Sequence, residues 1–141
     1  MAELAGKSAP NSRAQFRNIS DSQIAQYRLP LAGLVSIAHR VSGALLFLVG
    51  LPFLLYLFQQ SITSEVSFES YRATVSGVFP RLVLLALIWA YLHHFCAGIR
   101  YLLLDLHVGI EKEQARTSAS VVFGVSLALT VVVALKLFGA F

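Results

Sequence analysis

The sequence predicts an all-α protein: a three-span transmembrane helix bundle with its N-terminus in the cytoplasm. Three observations carry that expectation. Apolar residues make up 57% of the 141-residue chain and charged residues only 13%, whereas ordinary globular domains are about 45–50% apolar and about 25% charged. The apolar residues gather into three runs, at about 29–58, 82–106 and 119–141, and each is long enough for the roughly 20 residues a membrane helix needs. In lipid the backbone of each run must satisfy its own polar groups, which a helix does.

The same composition excludes a soluble enzyme, a disordered chain and a disulfide scaffold, since a soluble domain this small needs more polar surface. Cys96 is the only cysteine, so no internal disulfide forms, and one cysteine with four scattered histidines makes no zinc cage. The net charge of +4 comes from basic residues that neither cluster nor interleave with aromatics, so no nucleic-acid partner is expected.

Residues 1–28 form a polar segment carrying Lys7, Arg13, Arg17 and Arg28. It lacks the apolar core of a signal peptide and reads as a retained cytoplasmic segment, with 29–141 as the membrane domain. Pro30 opens the first span or kinks its entry, and Pro52 within it bends its outer half. A polar loop follows over 59–80, in which 67–78 suits a short interfacial helix. Pro80 sits near the first turn of the second span, where a missing N–H does no harm. Residues 106–118 read as a tight turn with Gly109, Glu111, Lys112, Glu113 and Arg116. The third span carries only Ser120, Ser126, Thr130 and Lys136 as polar residues and reads as a packing helix.

Orientation follows from lysine and arginine. Lys7, Arg13, Arg17, Arg28, Lys112 and Arg116 flank one side of the spans, and Arg72, Arg81 and Lys136 the other. The richer side, with the N-terminus, belongs in the cytoplasm or matrix.

Polar residues inside spans are expensive and therefore informative. On a helical wheel with Ser36 at zero, Arg40 lies at about +40°, Gly43 at about −20° and His39 at about −60°. In the second span, with His94 at zero, Gly98 lies at about +40°, Tyr101 at about −20° and Asp105 at about +20°, while His93 and Arg100 lie about 100–120° away. The two stripes meet in the cytoplasmic half of the bilayer. A neutral imidazole there is a good axial ligand for haem iron, with His39 and Arg40 as partners for haem propionates. Ser36 and Arg40 alternatively suit a quinone carbonyl, and Asp105 or a histidine suits the start of a proton path. Against these stand plainer readings. The histidines would hydrogen-bond helix to helix, Arg40 and Arg100 would snorkel to the surface, and Cys96 would be a small buried hydrophobe.

The segment Ser36-Ile37-Ala38-His39-Arg40-Val41-Ser42-Gly43 resembles the S-I-x-H-R-x-[ST]-G signature of the cytochrome b subunit of succinate dehydrogenase. His94-Phe95-Cys96-Ala97-Gly98-Ile99-Arg100, followed by Asp105, resembles its second signature, H-x-x-x-G-I-R-H-x-x-x-D, with Tyr101 in place of the histidine after Gly-Ile-Arg. Arg28-Leu29-Pro30 is similar to the short R-x-P element before the first span, and the resemblance covers about 26–117. It implies that His94 is the axial ligand of haem b, shared with a histidine from a second, smaller anchor subunit. It implies that Ser36 and Arg40 bind the quinone, that His39 and Arg40 lie at a haem propionate, and that ubiquinone is the substrate reduced. Succinate would be oxidised on a flavoprotein subunit and its electrons passed through an iron–sulfur subunit. The chain would then be a multi-pass protein of the bacterial inner membrane, enzymatic only as a subunit. Two other readings stay open. One is the anchor of a fumarate reductase, though a two-haem anchor needs histidines on several spans and the third span has none. The other is a structural membrane protein or small transporter subunit without haem.

Overall fold

A computed structural model describes residues 19–139. Lys7, Arg13 and Arg17, on which part of the orientation argument rests, lie outside the described residues, as do residues 140 and 141. Among the described residues every element is a helix. Helix α1 spans Asp21–Gln26, α2 Leu31–Leu45, α3 Leu51–Thr63, α4 Glu65–Ser76, α5 Val78–Asp105 and α6 Lys112–Leu137. A π turn, Leu46–Gly50, joins α2 to α3, so Leu31–Thr63 runs on as 33 residues. With α5 and α6 this makes three helices long and apolar enough to cross a membrane.

The first long helix starts on Pro30, whose carbonyl accepts from the N–H groups of Gly33 (2.8 Å) and Leu34 (3.1 Å). The π turn has a local cause in Pro52. Lacking an N–H, Pro52 cannot bond the carbonyl four residues back, and the ladder widens just before it. Leu51 N–H accordingly reaches Leu46 O, five residues back. Gly50 is buried in that turn, and a Cβ there would lie 3.4 Å from Leu87 of α5.

Ser64 fixes the start of α4. Its backbone is extended and its side chain accepts from Ser67 N–H at 3.1 Å, while Ser67 Oγ accepts from Ser64 N–H at 2.9 Å. This reciprocal cap begins the helix at Glu65, two residues before the stretch the sequence suggests. Ser64→Ala should therefore lower the local stability of α4 by about 1 kcal/mol, read as faster amide exchange confined to 65–76.

Helix α5 begins at Val78 with Pro80 in its first turn, where the backbone N–H has no helical partner to lose. It ends in a Schellman turn. His107 takes φ +61°, its N–H donates to Leu104 O, and Val108 N–H donates to Leu103 O, both at 2.9 Å. Helix α6 then starts at Lys112, inside the stretch the sequence reads as turn. Lys112, Glu113, Gln114, Ala115 and Arg116 are strong helix formers, and they extend the helix below its apolar part. Glu113 at its start and Lys136 at its end complement the helix dipole.

The three long helices meet at a small core. Val35 of α2, Ala97 of α5, and Ala119 and Val122 of α6 are buried against one another, with Leu31, Ala32, Cys96, Tyr101 and Phe123 around them. Small residues at the crossing let the backbones approach, which is how helices associate without a hydrophobic driving force. The outer faces carry large exposed apolar side chains such as Phe47 and Leu48, each 69% exposed. A water-soluble chain does not present such a surface; lipid or neighbouring membrane helices suit it.

Candidate functional site

Where α2 crosses α5, His39 and His94 lie face to face. Their ring centroids are 4.1 Å apart and their planes 8° from parallel. His94 Nδ1 lies 3.0 Å from the His39 carbonyl oxygen and 3.3 Å from Ser42 Oγ. Ser42 Oγ itself donates to the same carbonyl at 2.9 Å. A carbonyl oxygen only accepts, so Nδ1 carries a ring hydrogen, and in the neutral imidazole the lone pair resides on Nε2. That tautomer presents a nitrogen lone pair whose orientation is set by backbone, as in histidines that ligate metals generally.

A glycine from each helix lies at the crossing, and Gly43 is the one it requires. A Cβ at Gly43 would lie 2.8 Å from His94 Cε1 and 3.3 Å from Nδ1, so the ring occupies the space a side chain would need. A Cβ at Gly98 would lie 3.8 Å from His39 Nε2. Each histidine thus rests on a glycine of the opposite helix. Tyr101 closes the group on the α5 side, its ring 5.1 Å from that of His39, and its buried hydroxyl has no partner among the described residues.

The neighbouring His93 belongs elsewhere. It is fully buried, with Trp89 at 5.5 Å and Phe123 of α6 at 5.0 Å between ring centroids. Neither ring nitrogen finds a partner among the described residues. One step along the chain rotates a helical side chain by about 100°, enough to send His94 to α2 and His93 to α6.

A profile of the succinate dehydrogenase/fumarate reductase transmembrane subunit matches residues 16–133. The chain belongs to this family. The succinate dehydrogenase cytochrome b556 subunit of Paracoccus denitrificans is 31% identical over 112 residues, covering 79% of this chain and 85% of that protein. The protein of the same name from Coxiella burnetii is 33% identical over 104 residues, covering 73% of this chain and 82% of its own length.

In this transmembrane subunit the stripe on α2 is divided. Buried Val35 and Ser42, together with His39 and Gly43, form the face that meets α5. Ser36 is half-buried and Arg40 exposed, so these two stand on the flank, and no hydrogen bond joins them to the histidine pair among the described residues. Asp105 is exposed at the last residue of α5. Ser42 was absent from the sequence-based stripe because it lies about 120° from Ser36 on the wheel. Its signal was the hydroxyl position of the first signature, one residue before Gly43.

Arg100 does not snorkel. It is 6% exposed, and its Nε donates to Ser118 Oγ at 2.9 Å and its Nη2 to Ala115 O at 3.3 Å. The guanidinium also lies 5.4 Å from the Tyr101 ring centroid. Instead of reaching the surface, as the plainer reading has it, the side chain ties α5 to the polar first turns of α6.

Proposed function

We propose that this chain is the haem-b-binding membrane anchor of a succinate:quinone oxidoreductase and supplies part of its quinone-reduction site. The observation that carries the reading is the Nδ1 hydrogen bond of His94 to the His39 carbonyl, which leaves Nε2 free to hold iron. Donor type and surroundings fit haem: one oriented imidazole, seated in the space that Gly43 leaves open, on a face that a second anchor subunit with its own histidine would complete. Bound there, haem supplies a one-electron redox centre.

The remaining residues do the binding and proton work. His39 and Arg40 would hold haem propionates by charge and hydrogen bonding. Ser36 and Arg40, one helical turn apart on the open flank, would orient ubiquinone: the hydroxyl donates to a carbonyl oxygen, and the guanidinium stabilises the charge that oxygen gains on reduction. Asp105 lies about 16 Å along the helix from His94. It shares a stripe with Tyr101, which lies beside His39, and this line marks a route for protons from the cytoplasmic side. Succinate oxidation belongs to the flavoprotein subunit and electron delivery to the iron–sulfur subunit. The N-terminus would lie in the cytoplasm of a bacterium, with the chain in its inner membrane. Both relatives carry succinate dehydrogenase names, which favours that enzyme over a fumarate reductase.

The test is a reduced-minus-oxidised optical spectrum of the purified complex. His94→Tyr should abolish or strongly alter the b-type signal, and His93→Tyr should leave it near normal. An unchanged signal in His94→Tyr removes the ligand assignment, and a wild-type complex without any haem signal removes the haem reading.

A further inference from the structure

Helices α5 and α6 leave a groove of about 400 Å³ between them, and neither His39 nor His94 lines it. Ile99, Leu103, Val121 and Val125 form its apolar walls, and Arg100 lines it. It reaches the turn between the helices at Val108 and Gly109. Arg100 spends two of its five N–H donors, both on neutral oxygens. Among the described residues no carboxylate comes within salt-bridge range of it. A buried cation without a counter-charge is costly at membrane depth.

We propose that this groove binds an anionic phospholipid, with the phosphate on the remaining N–H groups of Arg100 and an acyl chain along Ile99, Leu103, Val121 and Val125. Depth agrees. Arg100 lies about 8 Å inside the end of a helix about 42 Å long, in a hydrocarbon layer of about 30 Å, so it stands close to the hydrocarbon edge where lipid phosphates begin. Size agrees too: about 400 Å³ is far too little for a transmembrane helix about 10–12 Å across and suits one extended chain. Apolar walls distinguish a lipid from a free anion. Basic pockets between membrane helices on the cytoplasmic side are recurrent sites for anionic headgroups. Lys112 and Arg116 follow in the first turns of α6, but Glu111 and Glu113 are beside them in the chain, so the attraction rests on Arg100.

Native mass spectrometry of the purified complex in mild detergent tests this, with phosphatidylglycerol or phosphatidylcholine supplied at equal concentration and thermal stability followed in parallel. Arg100→Gln removes the charge. Val121→Trp fills the groove while leaving both Arg100 hydrogen bonds in place, so it decides the matter alone if Arg100→Gln does not assemble. The wild-type complex should retain the anionic lipid preferentially, and each variant should reduce that preference about fivefold or more, the scale of one cation's attraction at a lipid surface. Equal preference in wild type and Val121→Trp overturns the proposal. So does equal thermal stabilisation by inorganic phosphate alone, which would make Arg100 a simple anion site.

Discussion

Gly43→Ala should displace His94, whereas Gly98→Ala should be nearly silent, although both glycines lie under a histidine ring. The added Cβ at Gly43 meets His94 Cε1 at 2.8 Å, and the ring has little freedom to retreat because Nδ1 is held by the His39 carbonyl and Ser42. The ring must move by several tenths of an ångström and loosen those bonds. Overpacking of this kind costs about 1–3 kcal/mol, and the expected result is a lower unfolding temperature for the complex together with reduced haem content and a shifted b-type band. At Gly98 the same methyl group meets His39 Nε2 at 3.8 Å, an ordinary van der Waals contact, so stability and spectrum should stay close to wild type. Purifying both variants and comparing haem per complex decides the point. Equal losses, or a loss only in Gly98→Ala, would mean that the His94 ring does not sit where this packing places it.

The three-helix architecture was legible because lipid imposes so few solutions: twenty apolar residues in a row can only be a helix there. Helix ends were less legible, because they depend on chemistry that hydropathy does not measure. Lys112, Glu113, Gln114, Ala115 and Arg116 look like a loop by polarity, yet they are good helix formers and continue α6 into the interface. The Schellman turn after α5 gave no warning, since the left-handed position is held by His107 rather than by a glycine. The π turn was half visible, as Pro52 announced an irregularity without specifying its form. At the site, a wheel at 100° per residue was enough to separate His94 from His93 and bring His39 toward His94. It did not tell which part of the α2 stripe faces α5, because that depends on the rotation of the whole helix in its packing. Val35 and the small residues Ala97 and Ala119 set that rotation, and it turns Ser42 inward and Arg40 outward. The place of Arg100 was left open for a related reason. Its partners, Ser118 and Ala115 O, belong to helix turns that polarity had assigned to a loop.

That rotation leads to the second large effect. Ser36 and Arg40 stand outside the contact between α2 and α5, and this chain alone does not enclose them. Their removal should therefore leave the histidine pair, and with it the haem spectrum, largely in place. Arg40→Ala should lower quinone reduction by about a hundredfold, the order lost when one oriented donor is taken from a developing oxyanion, and Ser36→Ala should act in the same direction with a smaller change. Succinate oxidation with an artificial electron acceptor that bypasses the membrane domain should be unchanged, because the chemistry of succinate lies in other subunits. Three measurements on the same preparation separate the possibilities: succinate–dye activity, succinate–ubiquinone activity and the reduced-minus-oxidised spectrum. Loss of quinone reduction alone places both residues at the quinone. Loss of the spectrum as well in Arg40→Ala would mean that its propionate contact is what keeps the haem in place, and would leave Ser36 as the quinone contact. Full quinone activity in both variants would show that the open flank of α2 has no part in the reaction, and the quinone would have to be sought on a different face of the bundle.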